Sequence, residues 1–257
     1  MTRTLVAALT LTALTAQNPA PPPPAVDCQE TAAAIQRLLG QDARLRDWPQ
    51  LSRYRQANQT VAPPKAGESR VVFMGDSITD LWQGDRFGFF VPAKPYLDRG
   101  ISGQTTPQML IRFRPDVIDL KPKVVVILAG TNDIAGNTGP MTNEDVEANL
   151  ASMAELAKLH GIKVVMASIT PTSAYHAAAN AAPQTTLRPM ARIKALNDWM
   201  QKYAAANGAV YLDYFTPMLD STGVMKAELT GDDLHPNAAG YAIMAPLAEA
   251  AIQKALR

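Results

Sequence analysis

From Arg70 onward, short apolar runs alternate with longer amphipathic stretches, and this rhythm restricts the possible folds more than any other feature of the chain. The runs Val71–Met74, Val124–Ala129, Lys163–Ala167 and Val210–Asp213, with a poorly marked one near Tyr96–Arg99, have the length of strands. Continuous Val and Ile runs suit strands covered on both faces. Strands separated by helix-length segments build strand-helix-strand units, and so predict an α/β protein with a parallel sheet. The helices carry their own punctuation. Thr106-Pro107 offers an N-cap followed by proline, Thr142 to Asp145 resembles a capping box, and His160-Gly161 closes that second helix. A third helix is expected over Pro189 to Ala206 and a last one from near Asn237, with Pro246 kinking or splitting it.

The 257 residues, 47% of them apolar, can bury a full core in one domain of α/β size. A net charge of +1, with charges scattered along the chain, leaves no electrostatic footprint for nucleic acid or anionic lipid, so a small neutral substrate is expected. The single cysteine, Cys28, permits neither an intrachain disulfide nor a cysteine metal cage.

Residues 1–20 read as an export signal: Arg3 supplies the positive start, and Leu5 to Ala16 is an apolar stretch too short to remain in a bilayer. The alternative is a frayed N-terminal helix. Cys28 is a poor lipidation site, because Asp27 stands where a small residue is needed. Five prolines between Pro19 and Pro24 make a solvated spacer that ends by residue 27. A helical arm follows over residues 28–69, interrupted at Gly40 and Pro49, with Trp48 and Tyr54 as packing aromatics. The main domain is expected over residues 70–257.

In open α/β sheets, ligands bind beyond the carboxyl ends of the strands. Four polar segments fall at such ends: Gly75-Asp76-Ser77-Ile78, Ser102-Gly103-Gln104-Thr105, Gly130-Thr131-Asn132-Asp133 and Asp232-Asp233-Leu234-His235. A serine hydroxyl is a weak nucleophile until a base within hydrogen-bond reach takes its proton. His235 could be that base. Asp232 and Asp233 are rival carboxylates for orienting its ring.

These four blocks, in this order, resemble the SGNH or GDSL-type serine hydrolases, and the resemblance covers roughly Arg70 to Leu256. It implies a three-layer α/β/α sandwich around a flavodoxin-like, doubly wound parallel sheet of about five strands. It implies hydrolysis of a carboxylic ester through an acyl-enzyme, with no metal and no organic cofactor. Ser77 would be the nucleophile, His235 the general base and then acid, and Asp232, rather than Asp233, the orienting carboxylate. The oxyanion hole would combine the backbone N–H groups of Ser77 and Gly103 with the side-chain amide of Asn132. Gly103 would be glycine so that no Cβ obstructs the approach of its N–H. One departure is Ile78, where the family usually has leucine. The tight spacing from Asp232 to His235, and the missing second glycine after Ser77, distinguish the chain from α/β-hydrolases.

Other residues have competing readings. Asp76, Thr131 and Asp133 fit turn or capping roles. His160 fits a helix C-terminus. Trp82, Thr105 and His176 are candidate substrate-binding residues, with core packing the rival reading for Trp82. The long segment Thr172 to Arg188 is either an active-site lid or a solvated loop. Three dispersed histidines and no His-Glu-x-x-His helix offer no metal-ligand set. The substrate expected is a small-molecule or saccharide ester bearing a short acyl group such as acetyl. The alternatives are a lysophospholipase or thioesterase acting on lipid, and a non-catalytic carbohydrate-binding relative. The location expected is periplasmic or secreted, without stable membrane insertion.

Overall fold

The computed structural model describes residues 28–82, 89–90 and 93–257, so the expected leader and spacer lie outside the described residues. The chain divides into two compact units, Met1–Ala43 and Arg44–Arg257. The helix Cys28–Arg46 starts in the first and runs through Gly40 without interruption, leaving Ile35, Leu38 and Leu39 exposed.

The second unit holds five parallel strands: β1 Val71–Gly75, β2 Tyr96–Gly100, β3 Val124–Leu128, β4 Lys163–Ala167 and β5 Val210–Leu212. Their order is β2-β1-β3-β4-β5, the flavodoxin-like arrangement, with its switch point between β1 and β3. Successive side chains of a strand point to opposite faces, which explains the continuous apolar runs. On one face Val72, Met74, Val125, Ile127 and Met166 join a core that includes Met109, Phe113, Leu150, Met153, Ile193 and Leu196. On the other, Val71, Phe73, Val124, Val126 and Val165 join Trp82, Tyr241, Met244 and Ile252. The sheet is therefore the middle of three layers.

Two expected helix ends differ in detail. The helix after β2 spans Thr106–Asp116, and its N-cap is Thr105, one residue earlier than expected, with the Thr105 N–H donating to Gln108 Oε1 at 3.0 Å. The C-terminal helix runs unbroken over Ala238–Leu256 although it contains Pro246. Proline removes one donor, but burial of Met244, Ala248 and Ile252 against the sheet offsets that loss. The capping box at Thr142 is present, with Thr142 and Asp145 exchanging hydrogen bonds.

The segment expected as one arm over residues 28–69 is divided by the boundary between the two units. Its later part packs into the second unit. The Tyr54 hydroxyl, on a buried ring, donates to Gly100 O, and Asn58 Nδ2 donates to Asp116 Oδ1 at 2.7 Å. Among the described residues no helix is long and apolar enough to cross a membrane.

Candidate active site

β1 ends at Gly75, and the chain turns at once into a single helical turn, Ser77–Asp80. Asp76 caps it by accepting the Ile78 N–H at 2.9 Å. The turn lies directly against the end of β2. A Cβ on Gly100 would stand 2.2 Å from the Asp80 nitrogen, so only glycine fits without moving backbone. Ile78 is buried in the core, and the Tyr241 hydroxyl donates to its carbonyl at 2.6 Å. Beneath the turn the buried Arg112 guanidinium donates to Gly75 O at 3.0 Å and Arg99 O at 2.8 Å, joining the ends of β1 and β2. Asp80 reaches sideways: its Oδ2 accepts the Ser102 hydroxyl at 2.6 Å and the Ser102 N–H at 3.1 Å. The serine-bearing turn thus also fixes the loop that carries Gly103.

The segment Thr230–Pro236 approaches from the other end of the chain. Asp232 Oδ1 accepts the backbone N–H groups of Leu234 at 3.1 Å and His235 at 2.8 Å, folding the loop around the carboxylate. Asp232 Oδ2 lies 2.6 Å from His235 Nδ1, and His235 Nε2 lies 2.8 Å from Ser77 Oγ. A carboxylate only accepts, so this pairing assigns the proton to Nδ1 and leaves Nε2 able to accept the serine proton.

Asp233 faces the other way. Its backbone is left-handed, at φ 67°, and its buried carboxylate accepts the Ser173 hydroxyl at 2.5 Å, the Tyr175 N–H at 2.9 Å and the His176 N–H at 2.7 Å. The two adjacent aspartates therefore have separate tasks. Asp232 holds the imidazole, and Asp233 anchors the start of the segment after β4.

Two further blocks close round the serine side. Gly103 has φ +81°, and a Cβ there would meet nothing nearer than Asn137 Nδ2 at 3.9 Å. The left-handed backbone, rather than crowding, is what calls for glycine at this position. Asn137 Nδ2 donates to Gly103 O at 3.0 Å, and Asn132 Nδ2 donates to Gln104 O at 3.0 Å. Asp133 accepts the Thr106 N–H at 2.9 Å and hydroxyl at 2.6 Å, tying its own turn to the start of the helix Thr106–Asp116.

The carboxylates divide electrostatically. Burial pushes Asp76 up to about 6, against the lowering effect of its bond from the Ile78 N–H and of nearby His235. Burial also raises Asp133. Burial acts in the same upward direction on Asp232, but hydrogen bonds from the His235 ring and from backbone N–H groups outweigh it and hold this carboxyl below its usual value. Among the described residues no group of three or more His, Cys, Asp or Glu side chains could hold a metal ion.

The expected substrate-binding residues are placed differently from one another. Trp82 is 1% exposed and belongs to the core, stacked on Phe89 and Tyr241 with ring centroids 4.3 Å and 5.1 Å away. Thr105 is also closed off from solvent, as the N-cap of its helix. Only His176 is exposed, with Nε2 3.2 Å from Ala227 O. Sequence reasoning passed over Asp80, Asn137 and Arg188. Arg188 offered a signal, since it is the one Asp, Glu, Lys or Arg between Thr172 and Arg188.

Residues 73–243 match the model of the GDSL-like Lipase/Acylhydrolase family. A solved structure of a candidate acylhydrolase from Bacteroides fragilis is 40% identical, with a TM-score of 0.75, covering 82% of this chain and 99% of that one. A GDSL-like lipase from Bacteroides thetaiotaomicron is 41% identical, with a TM-score of 0.72, covering 80% and 98%. A catalytic variant of an acetylxylan esterase from Geobacillus stearothermophilus shares the fold at 21% identity, with a TM-score of 0.57 over 75% of this chain and 96% of that one. Among curated proteins, the uncharacterized lipoprotein YqeF of Bacillus subtilis is 38% identical over 78 residues, which is 29% of this chain. That match spans about a third of the relative's length, 32%.

Proposed function

The chain belongs to the GDSL-like lipase/acylhydrolase family, a family of carboxylic ester hydrolases, and we propose that it cleaves its ester at Ser77 through an acyl-enzyme. The observation that carries this reading is the continuous hydrogen-bonded line from Ser77 Oγ through His235 to Asp232, at 2.8 Å and 2.6 Å.

In this mechanism the Ser77 oxygen bonds to the ester carbonyl carbon while its proton moves to His235 Nε2. The carbonyl π electrons move onto oxygen, making an oxyanion. The Ser77 and Gly103 N–H groups and the Asn132 amide stabilise that charge. Collapse of the tetrahedral intermediate breaks the bond to the alcohol oxygen, which leaves with the proton from His235. Water then repeats the sequence: it gives a proton to His235, attacks the acyl carbon, and releases the carboxylic acid as Ser77 regains its proton. Asp232 stays ionised and stabilises the imidazolium in both halves.

The ester we favour carries a short acyl group such as acetyl, on a small molecule or saccharide. Trp82, five residues after Ser77, spends its faces on Phe89 and Tyr241 and so offers no apolar wall for a long chain. Residues 1–20 and the short match to a protein named as a lipoprotein support export. A series of p-nitrophenyl esters from acetyl to dodecanoyl, with Ser77→Ala as the blank, tests the reading. We expect kcat/KM to be highest for acetyl and to fall with length. A rise with length would transfer the assignment to a lipid acylhydrolase, and a wild type inert toward every ester would indicate a non-catalytic binder.

A further inference from the structure

The segment from Thr172 to Arg188 starts and ends in the protein interior, and its last residue lies beside the candidate oxyanion hole. Arg188 is 6% exposed and Asn132 3%. The guanidinium spans the turn after β3: Nε donates to Thr131 O at 3.1 Å and Thr131 Oγ1 at 3.0 Å, while one terminal nitrogen donates to Asn132 Oδ1 at 3.3 Å. The other terminal nitrogen donates to Gln184 Oε1, which fastens the fork to its own segment.

Asn132 is thereby held at both ends of its amide. Its oxygen takes a charged donor, and one of its N–H bonds goes to Gln104 O at 3.0 Å. One amide N–H remains for an incoming group, and the amide cannot flip without placing its NH₂ against the guanidinium. A free asparagine amide pays for rotation in lost alignment, and a donor is worth most when it needs no reorganisation as charge develops.

We propose that Arg188 is the positioning residue of the oxyanion hole: it fixes the Asn132 amide so that its remaining N–H meets the developing oxyanion. The proposal rests on the acyl-enzyme reading above. Burial disfavours the Arg188 charge, and the nearby carboxylates of Asp76 and Asp232 act against that cost. Arginine suits the task because its planar fork reaches Thr131, Asn132 and Gln184 together, which a lysine ammonium cannot do.

The test is a double-mutant cycle on the full chain, with kcat and KM for p-nitrophenyl acetate and Tm measured for wild type, Arg188→Ala, Asn132→Ala and the double variant. Arg188→Ala should lower kcat roughly ten- to a hundredfold with little change in KM. In the Asn132→Ala background the same change should cost less than about threefold, because the group through which it acts is gone. Should Arg188→Ala fail to fold, Arg188→Lys carries the same cycle, with a loss of kcat expected only when Asn132 is present. Equal losses with and without Asn132, or wild-type kcat in either Arg188 variant, would overturn the assignment. A wild type inert toward the ester overturns the reaction itself and the proposal with it, whereas an active wild type with additive losses removes Arg188 alone.

Discussion

The serine side and the histidine side of the site are built on opposite principles. Ser77 sits on a buried turn packed against β2, with Gly100, Ile78 and Arg112 leaving it no room to move. His235 sits on a partly exposed loop, and the side chain of Asp232 is 54% exposed. That loop owes its shape to hydrogen bonds gathered by two carboxylates, Asp232 from the ring and Asp233 from Ser173, Tyr175 and His176. Close packing makes the serine side part of the fold, so damage there should appear as lost stability. The histidine side is separable, so damage there should appear as lost turnover.

The largest separation is expected for His235→Ala. Removing the base of a serine triad costs about 10⁵–10⁶ in kcat, while Tm should stay within about 2 °C of wild type because the side chain is only partly buried. A large fall in Tm would break the comparison. Asp232→Asn should cost about 10⁴ in kcat, since the amide can no longer hold Nδ1 as the protonated nitrogen. Its stability is best followed against pH. The Asp232 carboxyl is held below its ordinary value, so the stability it contributes is present above that value and lost as pH falls through the folded pKa.

On the other side, Gly100→Ala should lower folding stability by more than about 3 kcal/mol in a denaturant titration, because a methyl group would meet backbone at 2.2 Å. A variant that folds normally would show that the turn after β1 is not packed as described. The smallest effect belongs to Asp76→Asn. Burial raises Asp76 to about 6, so the folded chain holds this proton more tightly than the unfolded chain, and its contribution to stability is lost as pH rises from about 4 to 6. Asparagine still caps the helix but carries no charge. Asp76→Asn should flatten that slope and gain about 2 kcal/mol at pH 7 relative to pH 4. An unchanged slope would place the titration elsewhere.

How far the sequence revealed this arrangement depended on how local each signal was. The buried strands β1, β3 and β4 were legible as apolar runs because helices cover both faces. β2 was faint because it lies at the sheet edge and carries Asp98 and Arg99. These polar residues are buried in local networks: Asp98 Oδ1 accepts the Gly100 N–H at 2.6 Å, and Arg99 Nε donates to Asn58 at 2.8 Å. The four blocks could be read as one site because α/β topology delivers every strand's carboxyl end to the same edge. Ser77 and His235, separated by 158 positions, meet at 2.8 Å.

What could not be read was support supplied from a distance. Asp80 looks like a helical surface residue until Ser102, separated by 22 positions, is seen bonded to it. Arg188 stands 56 positions from Asn132. Asp233 could be set aside as a partner for His235 on the resemblance to the family, yet its bonds to the segment after β4 require the folded chain. Trp82 had two readings, pocket wall and core packing, and the structure decides for the core. Its position five residues after Ser77 suggested a pocket wall, but the tight turn between them points the indole into the aromatic core.

Covalent trapping tests the central claim, that Ser77 carries the acyl group, most directly. Wild-type protein treated with a fluorophosphonate should lose p-nitrophenyl acetate hydrolysis in step with the uptake of one phosphonyl group. Peptide mass spectrometry should place that group on Ser77, and Ser77→Ala should take up none. An active wild type that is labelled at another residue, or a Ser77→Ala variant that still turns over the ester at the wild-type rate, would contradict the account.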